Sequence, residues 1–381
     1  MASLRFRVGE LFCGPGGLAI GARQATDFLS LDHDVSLEHV WANDTDPDTC
    51  RTYLRNVLKP EFGDKARLVT AAHCDDSCSG VVINQDVREL DISALQPVDG
   101  FAFGFPCNDY STIGESRGLE GAYGPLYTYG IEVLARHKPK WFVAENVAGL
   151  KSANEGSALR MILAALREPG NGVKYKLVPH LYSFDEYGVP QRRRRIVIVG
   201  IRDDLGVDFK VPSPELYTDL DISAAGALSG LRRGVPNHEL PNLTARVVER
   251  LTHIRPGQNA FNAELPEHLR LNVRGLTNSQ VYRRLEPDKP AYTVTGAGGG
   301  GTLMYHWAEP RALTNRERAR LQTFPDSFVF EGGRESVRKQ VGMAVPVSGA
   351  EAIFVALFRS FLGVPYPSVD SNMGELVEQL V

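Results

Sequence analysis

The chain is short of cysteine. Cys13, Cys50, Cys74, Cys78 and Cys107 are five among 381 residues, too few and too scattered for a disulfide framework, so a reduced, intracellular protein is expected. Long apolar runs are missing as well. No stretch approaches the roughly 18 residues of a membrane span, and Met1 to Arg7 has no signal-peptide core. An excess of positive charge is also absent. Lys and Arg number 42 against 46 Asp and Glu, and a net charge of −4 announces no nucleic-acid partner by itself. Metal-ligand spacing is lacking too. His73, Cys74 and Cys78 lie together in the polar stretch from Lys59 to Gly80, without a fourth ligand or a Cys-x2-Cys pair, so a surface excursion and no metal are expected.

What is present is alternation. Short apolar runs at Arg7 to Phe12, Glu38 to Ala42, Val81 to Asn84, Asp99 to Phe103, Trp141 to Ala144, Tyr175 to Ser183 and Arg195 to Val199 read as strands. Between them Leu18 to Leu29, Asp46 to Leu58, Leu126 to His137 and Ser157 to Leu166 read as helices. The pattern predicts an α/β fold: a doubly wound, mostly parallel sheet with helices on both faces. After about Ile201 prolines and glycines break the pattern, and a smaller, loop-rich domain is expected. Helical patterning returns at Thr314 to Gln322 and Val347 to Phe361.

Residues that carry chemistry fall at strand ends. Phe12-Cys13-Gly14-Pro15-Gly16-Gly17 is a Gly-rich turn after the first strand, suited to close approach of a ligand to backbone N–H groups, or simply a tight turn. Asp44 ends the second strand, where an acid meets ribose hydroxyls in doubly wound folds. Asp86 ends the third, within reach of an adenine amino group. Phe105-Pro106-Cys107 follows the fourth strand and places a thiol where a nucleophile is both held and accessible. Glu145 ends an apolar strand, a setting that suits proton donation. In the run Gln191 to Arg195, period-two alternation puts Arg193 and Arg195 on one face. Each has a plainer reading as buried thiol, helix cap or solvated charge.

Taken in order, these residues resemble the DNA (cytosine-5) methyltransferase family. Phe12-x-Gly14-x-Gly16-Gly17 is similar to its cofactor motif, Gly104-Phe105-Pro106-Cys107 to its nucleophile motif, and Glu145-Asn146-Val147 to its carboxyl motif. Gln191-x-Arg193-x-Arg195 is similar to its arginine motif. Arg311-x-Leu313-Thr314-x-Arg316-Glu317-x-Ala319-Arg320-Leu321-Gln322-x-Phe324-Pro325 and Gln340-Val341-Gly342-Met343-Ala344-Val345-Pro346 are similar to its last two. The matches run from Glu10 to about Ile353.

The resemblance implies a Rossmann-like catalytic domain over residues 1–201 and 336–381, with a target-recognition domain over 202–335. It implies that Cys107 attacks C6 of a flipped cytosine, Glu145 holds the N3 edge, Arg195 the O2 side, and Arg193 the thiolate and phosphate region. Phe12, Gly14, Gly16, Gly17, Asp44, Thr45, Asp86, Val87, Leu126 and Met343 would bind S-adenosyl-L-methionine, with S-adenosyl-L-homocysteine as product. Phe105, Pro106, Asn108 and Gln191 would line the cytosine. Double-stranded DNA is the implied partner, beside a cognate restriction endonuclease, with a monomeric chain in the cytoplasm on the nucleoid and no membrane. A transfer-RNA cytosine-5 methyltransferase and a catalytically degenerate DNA-binding protein are the alternatives. Asn108-Asp109-Tyr110, Met343 and Val347 depart from the family pattern.

Overall fold

Eight strands form one sheet. The computed structural model describes residues 3–71, 79–105, 126–271, 280–296 and 298–378. In chain order the strands are β1 (Leu4–Leu11), β2 (Val35–Asp44), β3 (Arg67–Val69), β4 (Val81–Asn84), β5 (Gly100–Gly104), β6 (Trp141–Val147), β7 (Tyr175–Ser183), β8 (Gln191–Arg192) and β9 (Arg194–Arg202). All but β8 belong to the sheet, in the order β3-β4-β2-β1-β5-β6-β9-β7. Pairing is parallel from β3 through β6, and antiparallel where β9 lies between β6 and β7.

The chain divides into two units. The first holds residues 1–183, 194–216 and 347–381, and the second 184–193 and 217–346. Packing therefore sets boundaries at 216/217 and 346/347 rather than at 201/202 and 335/336. It also assigns residues 184–193 and 336–346 to the second unit, although the sequence places both with the catalytic domain.

In the first unit both faces of the sheet are covered, which is why its strands read as continuous apolar runs. One face carries Phe101, Phe103 and Phe142 against the helices Tyr127–His137 and Ser157–Arg167, through Val133, Leu134, Ile162 and Leu163. The other packs Phe6 and Trp141 against Phe354 and Phe358 of the helix Val347–Leu362. That helix lies along the first one, Gly17–Leu29, so closely that a Cβ on Gly21 would stand 2.5 Å from the Ala350 Cβ. The helical stretch Arg334–Leu362 contains an apolar window long enough to cross a membrane, a run missed in the sequence; 78% of that window is buried in the protein, as a core helix is.

Three elements differ from the sequence reading. Helix Pro47–Tyr53 passes at Leu54–Leu58 into a π-turn, and Arg23 donates to the Asn56 and Val57 carbonyls there at 3.1 and 2.5 Å. The stretch read as a polar connection holds a further short helix, Lys59–Phe62, and the edge strand β3, whose three residues are too short and too exposed to show periodicity. His73, Cys74 and Cys78 lie outside the described residues. The tail after Pro365 pairs Ser368–Val369 with Val211–Pro212, buries Met373 in the core and carries a short helix, Glu375–Glu378.

The second unit gathers Leu251, Ile254, Leu269, Tyr282 and Tyr305 into a small core. Its arginines do much of the remaining work. Arg284 donates to the carbonyls of His306, Leu251 and Ile254 at 2.8–3.0 Å, and Arg316 to those of Pro236 and Pro325 at 2.9 and 3.0 Å. A buried guanidinium with five N–H donors can bind several loop carbonyls where regular ladders are few.

Candidate active site

Strand order reverses at β1: the chain runs outward through β2 on one side and through β5 on the other. Such a reversal leaves a crevice at the carboxyl ends of the strands. The turn after β1 opens there. Phe12 and Gly14 have φ of 53° and 54°, and Gly16 has φ of 101°. The two glycines differ. A Cβ on Gly16 would meet Val57 Cγ2 at 2.8 Å, whereas one on Gly14 would meet nothing within 4 Å. One glycine packs the turn and the other borders open space. No side chain caps the helix that starts at Gly17, which leaves first-turn N–H groups and the positive end of its dipole for an anionic group.

Asp44 braces this turn. Its Oδ2 accepts from Gly14 N at 3.0 Å and its Oδ1 from Asp46 N at 3.0 Å. These two bonds fix the carboxylate against the turn at the crevice. Thr45 is exposed beside it. At the end of β4, Asp86 is bidentate with Arg88, at 2.9 and 2.5 Å, and Val87 is buried. The Arg88 bonds hold the Asp86 carboxyl below its usual range. Leu126 is buried ahead of its helix.

Glu10, two residues before the turn, has no role in the sequence reading. It is 3% exposed, and its Oε2 accepts from Tyr53 Oη at 3.0 Å. Burial pushes its carboxyl up to about 8, with the Tyr53 hydrogen bond opposing and Asp44 adding. A carboxyl inside the apolar run Phe6 to Leu11 was the sequence signal for it.

The second cluster lies where β5 and β6 end. Gly104 pairs with Glu145, and Val147 pairs with Arg195 across the antiparallel ladder. Glu145 and Arg195 are thus diagonal neighbours on one face. Arg195 Nε stands 2.8 Å from Glu145 Oε1, with both side chains largely shielded from solvent. Gly104 makes room for the pair: a Cβ there would sit 3.4 Å from Glu145 Oε2. Asn146, which sequence reasoning passed over, donates from Nδ2 to the Phe105 carbonyl at 3.1 Å and accepts from Val147 N at 2.8 Å. It anchors the chain at the last residue before Pro106. Pro106, Cys107 and Asn108 lie outside the described residues.

The arginine motif divides differently from the expectation. Residue 193 lies between β8 and β9 in a tight turn, Arg193 N donating to Gln191 O at 2.9 Å. Period two fails across that break, so Arg193 does not share the face of Arg195. Its buried guanidinium donates to the carbonyls of Val294 and Gly342 at 3.0 and 3.1 Å. Gln191, expected beside the cytosine, is fully buried and bonded to Leu321 O, Gln322 Oε1 and Val294 N at 3.0, 2.8 and 2.7 Å.

The two late motifs join the same network. Gln322 Nε2 donates to Val341 O and Ala344 O at 2.7 and 3.1 Å. Thr314 and Glu317 form a capping box, and Arg311 is bidentate on Glu317 at 2.8 and 2.7 Å. Met343 ends the helix Arg334–Met343, half exposed, in the second unit. Among the described residues no group of three or more His, Cys, Asp and Glu is placed to hold a metal ion.

Comparison with known proteins gives one pattern. A sequence model described as C-5 cytosine-specific DNA methylase matches residues 6–359. The type II methyltransferase M.BbvI of Brevibacillus brevis is 52% identical over 374 residues, covering 97% of this chain and 95% of that protein. M.NgoFVII of Neisseria gonorrhoeae, also a type II methyltransferase, is 37% identical, covering 98% and 90%. Among solved structures, a prophage-encoded protein of E. coli assigned as a DNA modification methyltransferase superposes with a TM-score of 0.66 at 20% identity, over 94% of this chain and all of that one.

Proposed function

The chain belongs to the C-5 cytosine-specific DNA methylase family and is a DNA cytosine-5 methyltransferase; from that premise we propose how its residues divide the work. The observation that carries the proposal is the shielded Glu145–Arg195 pair next to the end of β5, where Asn146 anchors the chain two residues before Cys107.

A cytosine must leave the duplex to enter such a site. Cys107 thiolate adds to C6 while Glu145 gives a proton at N3 and Arg195 holds O2. The C5–C6 π electrons then lie on the enamine, and C5 becomes nucleophilic. When bound, S-adenosylmethionine supplies the methyl group that C5 takes, leaving S-adenosylhomocysteine. Loss of the C5 proton to a base restores the double bond, Cys107 departs as thiolate, and the N3 proton returns to Glu145.

The open side of Gly14, the uncapped start of Gly17–Leu29 and the position of the Asp44 carboxylate at the end of β2 fit the cofactor's carboxylate and ribose. Phe12, Gly16, Gly17, Thr45, Asp86, Val87 and Leu126 complete that crevice. Met343 is assigned to it by its motif alone. Phe105, Pro106 and Asn108 would border the cytosine. Arg193 and Gln191 instead scaffold the second unit. The recognition region, expected over 202–335, is assigned to residues 217–346 and reads duplex DNA in the major groove. The type II relatives support a place in a restriction–modification system, beside a cognate endonuclease. A cytoplasmic monomer on the nucleoid is the simplest form, since one base needs one site.

The test is methyl transfer from labelled S-adenosylmethionine to mixed-sequence DNA and to transfer RNA, paired with trapping on 5-fluorocytosine DNA. Label is expected in DNA, with a covalent adduct in the wild type and none in Cys107→Ala. Label confined to transfer RNA would overturn the substrate, and an adduct in the variant would overturn the nucleophile.

A further inference from the structure

One long edge of the main sheet is β7. Its inner flank pairs with β9, and Lys174 O, just before the strand, accepts from Asp203 N at 2.9 Å on that side. By the period of two, the backbone groups of Tyr175, Leu177, Pro179, Leu181 and Ser183 then face outward. An outward row of N–H and C=O groups is a template for a strand from another chain.

The C-terminal segment sits on that row. Asn372 Oδ1 accepts from Leu181 N at 2.9 Å, and Asn372 Nδ2 donates to Leu181 O at 3.0 Å. One side-chain amide thus supplies the acceptor and donor that a residue of a neighbouring strand would supply. Ser371 Oγ donates to Pro179 O and accepts from Met373 N at 3.0 Å. Pro179 has no N–H to satisfy, so its carbonyl completes the demand at that position. Asn372 N donates to His180 Nδ1 at 3.2 Å, and burial, which pushes His180 down to about 4, leaves that nitrogen able to accept. Met373, only 3% exposed, anchors the segment in the core, and Leu376 and Val377 pack against it.

We propose that Ser371-Asn372-Met373 is a substitute strand that blocks the β7 edge against pairing with a second copy of this chain. An anchor alone would need only Met373 and its apolar neighbours. Here the hydrogen bonds go to the outward backbone groups of two alternate residues, which is the pattern strand addition would use.

The test compares full-length wild type with Asn372→Ala and the double variant Ser371→Ala/Asn372→Ala. Amide exchange at Leu181 and the sedimentation of each protein over a hundredfold concentration range are read together. Loss of the Asn372 amide is expected to speed Leu181 exchange by at least about tenfold. The same variants should associate as concentration rises, with Leu181 protection returning in the associated form. Faster exchange without association would reduce the segment to a tether and overturn the proposal; so would wild-type exchange in both variants. If Asn372→Ala does not fold, Asn372→Asp serves. It keeps an acceptor for Leu181 N–H and loses the donor to Leu181 O, so it should associate more than wild type, and wild-type sedimentation of that variant would also overturn the proposal.

Discussion

Glu145 and Arg195 are the residues on which the proposed chemistry turns. Glu145→Gln keeps the shape and removes the proton donor, so kcat is expected to fall about 10²- to 10⁴-fold with little change in melting temperature. Single-turnover methyl transfer and a thermal melt would check both halves of that statement. Arg193 gives the opposite expectation. Its guanidinium holds Val294 O and Gly342 O, so Arg193→Ala should cost about 3 kcal/mol of stability. A variant that melts like wild type but turns over slowly would return Arg193 to the catalytic role its motif suggests. The carboxyl, the two arginines and the Gly-rich turn were legible from residue type and position. Which arginine faced Glu145 was not, because alternation presumes an unbroken strand and the turn at 193 interrupts it.

Glu10 adds a pH dependence at the same scale. Its carboxyl is raised from 4.5 to about 8 by burial. Between those values the folded chain keeps a proton that the unfolded chain has released. More protons bound in the folded state means that stability falls as pH rises through this window. Glu10→Gln retains an oxygen for Tyr53 and does not titrate. It should match wild type near pH 4.5 and exceed it by a few kcal/mol, on the order of the shift, above pH 8. Urea melts at the two ends of the window would show this, and parallel pH profiles for both proteins would rule it out.

Among the elements, β4 and β7 lie where the sequence placed them, the first as a short apolar run and the second as a long, mostly buried one. Elements held by other means did not. The edge strand β3 is fixed by pairing rather than by burial, and the π-turn at Leu54–Leu58 by Arg23. The helix Arg334–Met343 shows a third case. A Cβ on Gly342 would stand 1.9 Å from Gly296 N and 2.2 Å from Thr295 C. The helix end rests directly on another backbone, which neither residue's neighbours in sequence reveal. Gly342→Ala must push that backbone aside and is expected to destabilise by several kcal/mol, on the order of severe overpacking. A melting temperature within 2–3 °C of wild type, roughly what under 1 kcal/mol would move it, would contradict the close approach.

For the whole molecule, net charge and arginine count gave an incomplete picture. Arginines are frequent after Ile201, but they do not form one basic face. Arg250, Arg284 and Arg316 are buried on carbonyls instead, whereas Arg232, Arg233 and Arg255 are exposed. The exposed ones are the candidates for phosphate contact in the proposed recognition region. Neutralising Arg232 and Arg233 together should weaken DNA binding alike on cognate and unrelated sequences, and flatten the slope of log affinity against log salt by up to about two. An unchanged slope would place the DNA elsewhere.

The chain passes between its two units four times, and the shortest visit, residues 184–193, carries Gln191 and Arg193 into the second. Anyone exchanging recognition regions between relatives to retarget methylation would naturally cut at the flanks of 217–346. Such a chimera would strand both side chains opposite carbonyls of foreign origin. Compatibility of a donor is therefore decided by a ten-residue segment far upstream of the exchanged block, and that segment should travel with it.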